Sequence, residues 1–175
     1  MIKHVLVATD GSDTSIKAVD TAAGIAVKFG ARLTVLHVML HGSRAEEASR
    51  MAKAEHLVRH ASASAMPDLE NVPGSMTDLF RASRNNEEMA RVLSAIGDRI
   101  VEDAADRARK AGVGEVSTLV EAGDYAETIL NAAKTTGVDM IVLGSRGLGS
   151  LEGMLLGSVS DKVARHAACS VLTVR

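Results

Sequence analysis

Val138-Asp139-Met140-Ile141-Val142-Leu143-Gly144-Ser145-Arg146-Gly147 is the stretch that decides how this chain folds. Its first six residues form a short, mostly apolar run of the kind buried on both faces of a parallel sheet. Gly144-Ser145-Arg146-Gly147 then reads as a loop, and after nine intervening residues Gly157-Ser158 reads as the opening of a helix. Strand, glycine-punctuated loop and helix, in that order, build an anion site from backbone N–H groups and a helix N-terminus. Glycine suits such a loop because it turns, and approaches a ligand, without a Cβ in the way.

The same alternation extends in both directions. Val5-Leu6-Val7-Ala8 reads as a first strand, followed by a turn at Thr9-Asp10-Gly11-Ser12-Asp13. Ser12 or Asp13 can cap a helix carrying Ile16, Val19, Ala23, Ala26 and Val27 at helical spacing and ending near Gly30. Leu33 to Val38 is a second strand and Val116 to Val120 a third. Asp124 and Glu127 resemble a capping box for a helix running to about Thr136. Residues 138–143 form the fourth strand, residues 157–167 a helix, and Ser170 to Val174 the last strand. Alternating strands and helices with no hairpin imply α/β architecture: a doubly wound five-stranded parallel sheet. The order 3-2-1-4-5 fits, and it places the switch point between strands one and four. Asp10-Gly11-Ser12 ends one of those strands and the glycine loop ends the other, so two independent features converge on one crevice.

Residues 41–112 exceed what a crossover needs. Met89, Val92, Leu93, Ile96, Ile100, Ala104 and Ala108 recur at three- and four-residue spacing, so residues 86–111 read as the packing helix, with Asn85 and Glu88 at its start. Ser43 with Glu46 opens a second, weakly amphipathic helix over 43–65, and the stretch from Met66 to Ser75 reads as loop. Residues 43–85 are therefore expected to be a helical and loop insertion after strand two, within a single domain of residues 1–175.

Composition removes several function classes. The 175 residues are 46% hydrophobic but only 2% aromatic, so the core is expected to be aliphatic. A net charge of −2 gives no basic face for nucleic acid, and so few aromatics argue against base-stacking platforms. No apolar run approaches a membrane span, and Met1-Ile2-Lys3-His4 leads straight into a strand without a signal peptide. The lone Cys169 excludes an intramolecular disulfide and suits a reducing compartment. The expectation is a cytoplasmic protein with neither nucleic-acid partner nor membrane insertion.

The chain resembles the universal stress protein family in its nucleotide-binding branch. Three pieces carry the resemblance: Val5 to Ser12, Leu36-His37-Val38, and residues 144–175. The family's motif is Gly, two residues, Gly, nine residues, Gly and Ser or Thr; Gly144, Gly147, Gly157 and Ser158 match it in full. Ser170 stands where the family often has Pro. The resemblance implies a Rossmann-like, adenine nucleotide alpha hydrolase-like fold holding ATP or a related adenine nucleotide, with or without Mg²⁺. Carried over by position, Val38 meets the adenine through its backbone and Asp10 contacts the ribose. Gly144 and Gly147 let backbone near the ribose and phosphates. Gly157, Ser158 and Val159 offer N–H groups to the phosphates, and Arg146 reaches them or is solvated. The resemblance also implies a homodimer, here expected through the C-terminal strand, and the insertion offers a place for a regulated protein partner.

The remaining residues add little chemistry. His56 and His60 share a helix face but lack a third metal ligand, so no metal site is assigned. His37 falls on a strand, His166 near a helix end, and Cys169 reads as a small core residue. Met51, Met66, Met76 and Met89 read as gap-fillers or partner surface. Asp10, Asp13, Arg146, Asp161 and Lys162 are too few to assign a catalytic base, and the loop has no Gly-Lys-Ser/Thr. A stress-response sensor or regulatory binding module is the leading expectation. A slow ATP-hydrolysing or ATP-activating enzyme on the same scaffold stays open at this point.

Overall fold

The computed structural model describes residues 1–39, 86–147 and 156–175, with residues 86–93 as backbone alone. The helix expected over 43–65, the following loop, Asn85, His56, His60, Met51, Met66 and Met76 lie outside the described residues, as does the side chain of Met89. In chain order the elements are β1 (His4–Ala8), α1 (Asp13–Phe29), β2 (Arg32–Met39), α2 (Asn86–Lys110), β3 (Val116–Ala122), α3 (Tyr125–Thr136), β4 (Met140–Gly144), α4 (Ser158–His166) and β5 (Ser170–Val174).

The sheet runs β3-β2-β1-β4-β5, as expected, and every pairing is parallel. Val5 of β1 sits beside Leu33 on one flank and Met140 on the other, so the chain reverses its direction of growth at β1. Strand residues alternate between two cores because successive side chains point to opposite faces. Val5, Val7, Leu33, Val35 and Val142 pack under α1 and α2. Leu6, Leu36, Val38, Ile141 and Leu143 pack under α3 and α4. The buried helix faces are largely alanine: Ala18, Ala22, Ala23 and Ala26 on α1, Ala126, Ala132 and Ala133 on α3. Small side chains bring the helix backbones close to a sheet of branched aliphatics, which is how a chain almost free of aromatic rings reaches interior packing density. Ile96, Ile100, Ala104 and Ala108 of α2 are buried, as their spacing predicts.

The helix ends follow local chemistry. Ser12 caps α1 by accepting the Ser15 N–H, and Gly30 closes it in the left-handed conformation. Asp124 caps α3 by accepting the Glu127 N–H at 3.0 Å. No helix among the described residues is long and apolar enough to cross a membrane.

At the opposite end of the strands from the glycine loop, His4 is only 5% exposed. Its Nε2 shares a 2.8 Å hydrogen bond with Thr34 Oγ1, which lies 2.9 Å from Ser117 Oγ, giving a polar row across β1, β2 and β3. Burial first, and the Arg32 charge second, hold the imidazole below its ordinary pKa, outweighing the Thr136 backbone and the charges of Asp139 and Glu115. The fold therefore holds a neutral ring, whereas the unfolded chain takes up a proton below about pH 6.5. The stability contributed by neutral His4 is complete above that value and is lost as pH falls through the lowered folded-state value. The melting temperature is thus expected to drop between about pH 7 and about pH 5, and His4→Gln to flatten that limb. An unchanged pH slope in the variant, read by thermal unfolding, would place the acid sensitivity elsewhere.

Candidate functional site

The C-terminal ends of β1 and β4 lie side by side, with Ala8 beside Leu143, and bound the candidate site as two walls. On the first wall, the Thr9 N–H still completes the ladder by donating to the Leu36 carbonyl at 2.9 Å. The chain then turns: Gly11 adopts φ 78°, a left-handed conformation that a side chain would disfavour. Asp10 Oδ1 accepts the Ser12 N–H at 3.0 Å, which bends the carboxylate back over its own turn. His37 supports this turn from the neighbouring strand. Its Nδ1 lies 2.9 Å from the Thr9 carbonyl oxygen, and because a carbonyl only accepts, Nδ1 carries the proton. Helix α2 presses on that ring at Gly97, where a Cβ would come within 3.1 Å of His37 Cδ2.

The second wall starts where β4 ends at Gly144. The Ser145 N–H donates to the Val174 carbonyl at 2.6 Å, which ties the loop to β5. The Arg146 carbonyl then accepts the Thr14 hydroxyl at 2.8 Å, so the loop lies on the first turn of α1. A Cβ on Gly144 would meet the Arg146 carbonyl at 2.9 Å and the Ser15 nitrogen at 3.2 Å. Gly147 completes the closure, since a Cβ there would lie 2.5 Å from Asp10 Oδ2. Each glycine therefore lacks a side chain because backbone or carboxylate already fills the space. Beyond this loop the chain leads to the first turn of α4.

That first turn is held near the loop. Gly157 is the N-cap of α4 and makes no side-chain cap. Its N–H donates to the Ser145 carbonyl at 2.7 Å, so this N–H has a protein acceptor instead of pointing to a phosphate. Since the Asp161 N–H makes the first intrahelical bond, to Gly157, the N–H groups of Ser158, Val159 and Ser160 are the others the ladder leaves without an intrahelical partner. Ser158 is exposed, and its hydroxyl adds a further donor. Arg146 and Gly147 are exposed as well. Val38 is 5% exposed and packs into the core under α3, which leaves its backbone as the part able to meet a ligand.

The other titratable candidates point elsewhere. Lys162 Nζ sits 3.3 Å from Asp124 Oδ1 and 3.1 Å from Glu127 Oε1, ties that raise its pKa and link α4 to the start of α3. Asp161 pairs with Arg165 at 2.9 Å. Burial pushes the Cys169 thiol up, in keeping with a packing role and not a nucleophilic one. The described geometry thus sets helix N-terminal N–H groups, a hydroxyl and a carboxylate acceptor around one loop. Sequence reading named Asp10, Gly144, Gly147 and Ser158 as candidates, and the fold brings Asp10 and Gly147 together, but it assigned no task to Thr14, His37, Ser145 or Ser160. Their hydrogen bonds join segments far apart in the chain, and no local spacing announces them.

Comparison with known proteins agrees with this architecture. The profile of the universal stress protein family matches residues 1–175. Universal stress protein YxiE of Bacillus subtilis is 37% identical over 175 residues, covering 100% of both chains. A universal stress protein solved in complex with cAMP is 26% identical with a TM-score of 0.63, covering 99% of this chain and 97% of that one. The Archaeoglobus fulgidus universal stress protein solved in complex with dAMP shares the fold at 16% identity and a TM-score of 0.59, over 100% of this chain and 98% of that one. With its whole length matched and its parallel sheet in the same order, the chain belongs to the universal stress protein family.

Proposed function

We propose that this protein binds an adenine nucleotide, ATP foremost, and acts as a stress-response sensor or regulatory module. The observation that carries this reading is the closure of the crevice: Gly147 packs against the Asp10 carboxylate while the start of α4 is tied to the same loop. In this reading the adenine rests on the Val38 backbone and the ribose hydroxyls donate to Asp10. The phosphates lie along Gly144 and Gly147 and meet the N–H groups of Ser158 and Val159, the Ser158 hydroxyl and Arg146. Gly157 serves by its small size. Mg²⁺ accompanies the phosphates, supplying charge neutralisation. The complex of a 26% identical relative with cAMP supports the ligand class.

Binding is favoured over turnover because Lys162 and Asp161 make ion pairs away from the loop. The wider proposal is a cytoplasmic homodimer paired through the edge of β5, with residues 43–85 as an insertion that meets a regulated protein partner. The edge position of β5 supports the first part, since an unpaired strand edge in the sheet is a template for a second copy. Light scattering at micromolar concentration reads it.

Isothermal titration with ATP and Mg²⁺ tests the nucleotide reading. Saturable binding below millimolar concentration is expected, and Ser158→Asp should weaken it about tenfold or more by setting a carboxylate against the phosphates. Folded protein that takes up no ATP at millimolar concentration would overturn the proposal. Phosphate release that disappears in Asp10→Asn would move the assignment from sensor to enzyme.

A further inference from the structure

We propose that Ser160 is the positioning residue of the phosphate-binding turn, an inference that rests on the adenine-nucleotide reading. Ser160 is 2% exposed, so its hydroxyl does not itself meet ligand. Its Oγ lies 3.0 Å from the Ser145 carbonyl and 2.9 Å from the Gly157 carbonyl. The second contact is the local one common to a serine one turn into a helix. The first is different, because it crosses from α4 to the loop after β4, fifteen residues away.

The Ser145 carbonyl accepts the Gly157 N–H and also the Ser160 hydroxyl, whose single proton is shared between the Ser145 and Gly157 carbonyls. The Ser145 N–H is anchored to Val174 of β5. A continuous set of hydrogen bonds thus runs from the sheet edge through Ser145 into the first turn of α4. Helix α4 depends on it. Nine residues are too few for a stable isolated helix, and Val163 is its one fully buried apolar side chain. Val159 adds a partly buried contact and Lys162 ties the helix to α3 farther along, so the Ser145–Ser160 bond is the side-chain link to the loop that sets where the Ser158 and Val159 N–H groups stand relative to Gly147.

The consequence is selective. Removing the Ser160 hydroxyl lets the turn shift, which weakens contacts to phosphate and leaves the adenine and ribose contacts at Val38 and Asp10 in place. Calorimetric titration of wild type and Ser160→Ala with ATP and with adenosine reads this split. Affinity for ATP is expected to fall about tenfold in the variant, with adenosine affinity within about twofold of wild type. Ser160→Cys, close in volume and a weaker donor, is expected to show the same selectivity to a smaller degree, and it carries the test if the alanine variant does not fold. Equal losses for both ligands, or unchanged ATP affinity, would overturn the positioning role. Wild-type protein that binds neither ligand would overturn the nucleotide reading itself, and this inference with it.

Discussion

Gly147→Val is expected to lower ATP affinity by about ten- to a hundredfold while leaving the melting temperature nearly unchanged. The first β-carbon alone would stand 2.5 Å from Asp10 Oδ2, nearer than any non-bonded contact allows. Either the carboxylate or the loop must move, and each movement separates the ribose acceptor from the phosphate donors. Gly147 is exposed and its φ is not positive, so the substitution strains neither the core nor the backbone. That separates this effect from general destabilisation. Titration calorimetry beside thermal unfolding measures both quantities, and wild-type affinity in the variant would remove Asp10 from the ribose site.

Leu6→Ala is expected to produce the largest stability loss, about 3–5 kcal/mol, against a total of about 5–15 kcal/mol for a domain. Leu6 is 0% exposed on the central strand, between β2 and β4, and packs with Leu36, Ile141 and Leu143 under α3 and α4. The surrounding side chains are alanines and branched aliphatics on a hydrogen-bonded sheet. They have few long, flexible atoms with which to fill the void, so most of the cavity term persists. Denaturant unfolding checks the value. A loss under about 1 kcal/mol would show that the alanine-rich layers collapse onto the gap.

The site was legible to an unequal degree. Gly144, Gly147, Gly157 and Ser158 stood out because their spacing follows a strand, and Asp10 because it ends the strand at the switch point. The sequence suggested Gly157 as a phosphate donor, yet its N–H points to Ser145. Thr14, Ser145 and Ser160 resemble surface hydroxyl residues in the one-dimensional pattern. Their partners are known only once the loop lies on α1 and α4 lies beside the loop.

Element boundaries show the same division. Apolar runs and helical periodicity suffice to place the nine elements of the described residues, because they encode burial, and burial is a property of each segment's own side chains; the strand order fitted that pattern without following from it. β5 matches its expected residues, and the end of α3 falls at Thr136. Strand ends differ because pairing is a property of two segments. β3 continues to Ala122, where it pairs with Met39 and the Gly123 N–H closes on the Met39 carbonyl. β4 begins at Met140, after Val138 turns back to α3 and Asp139 joins both neighbours through its own backbone, donating to the His4 carbonyl at 2.9 Å and accepting the Ser170 N–H at 3.3 Å. The Val138 N–H donates to Ala133, while the Asp139 carboxylate accepts the N–H groups of Lys3 and His4. Side-chain pattern therefore determines the α/β class of the fold, whereas hydrogen bonds between distant backbones decide which N–H groups beside the glycine loop already have a protein acceptor.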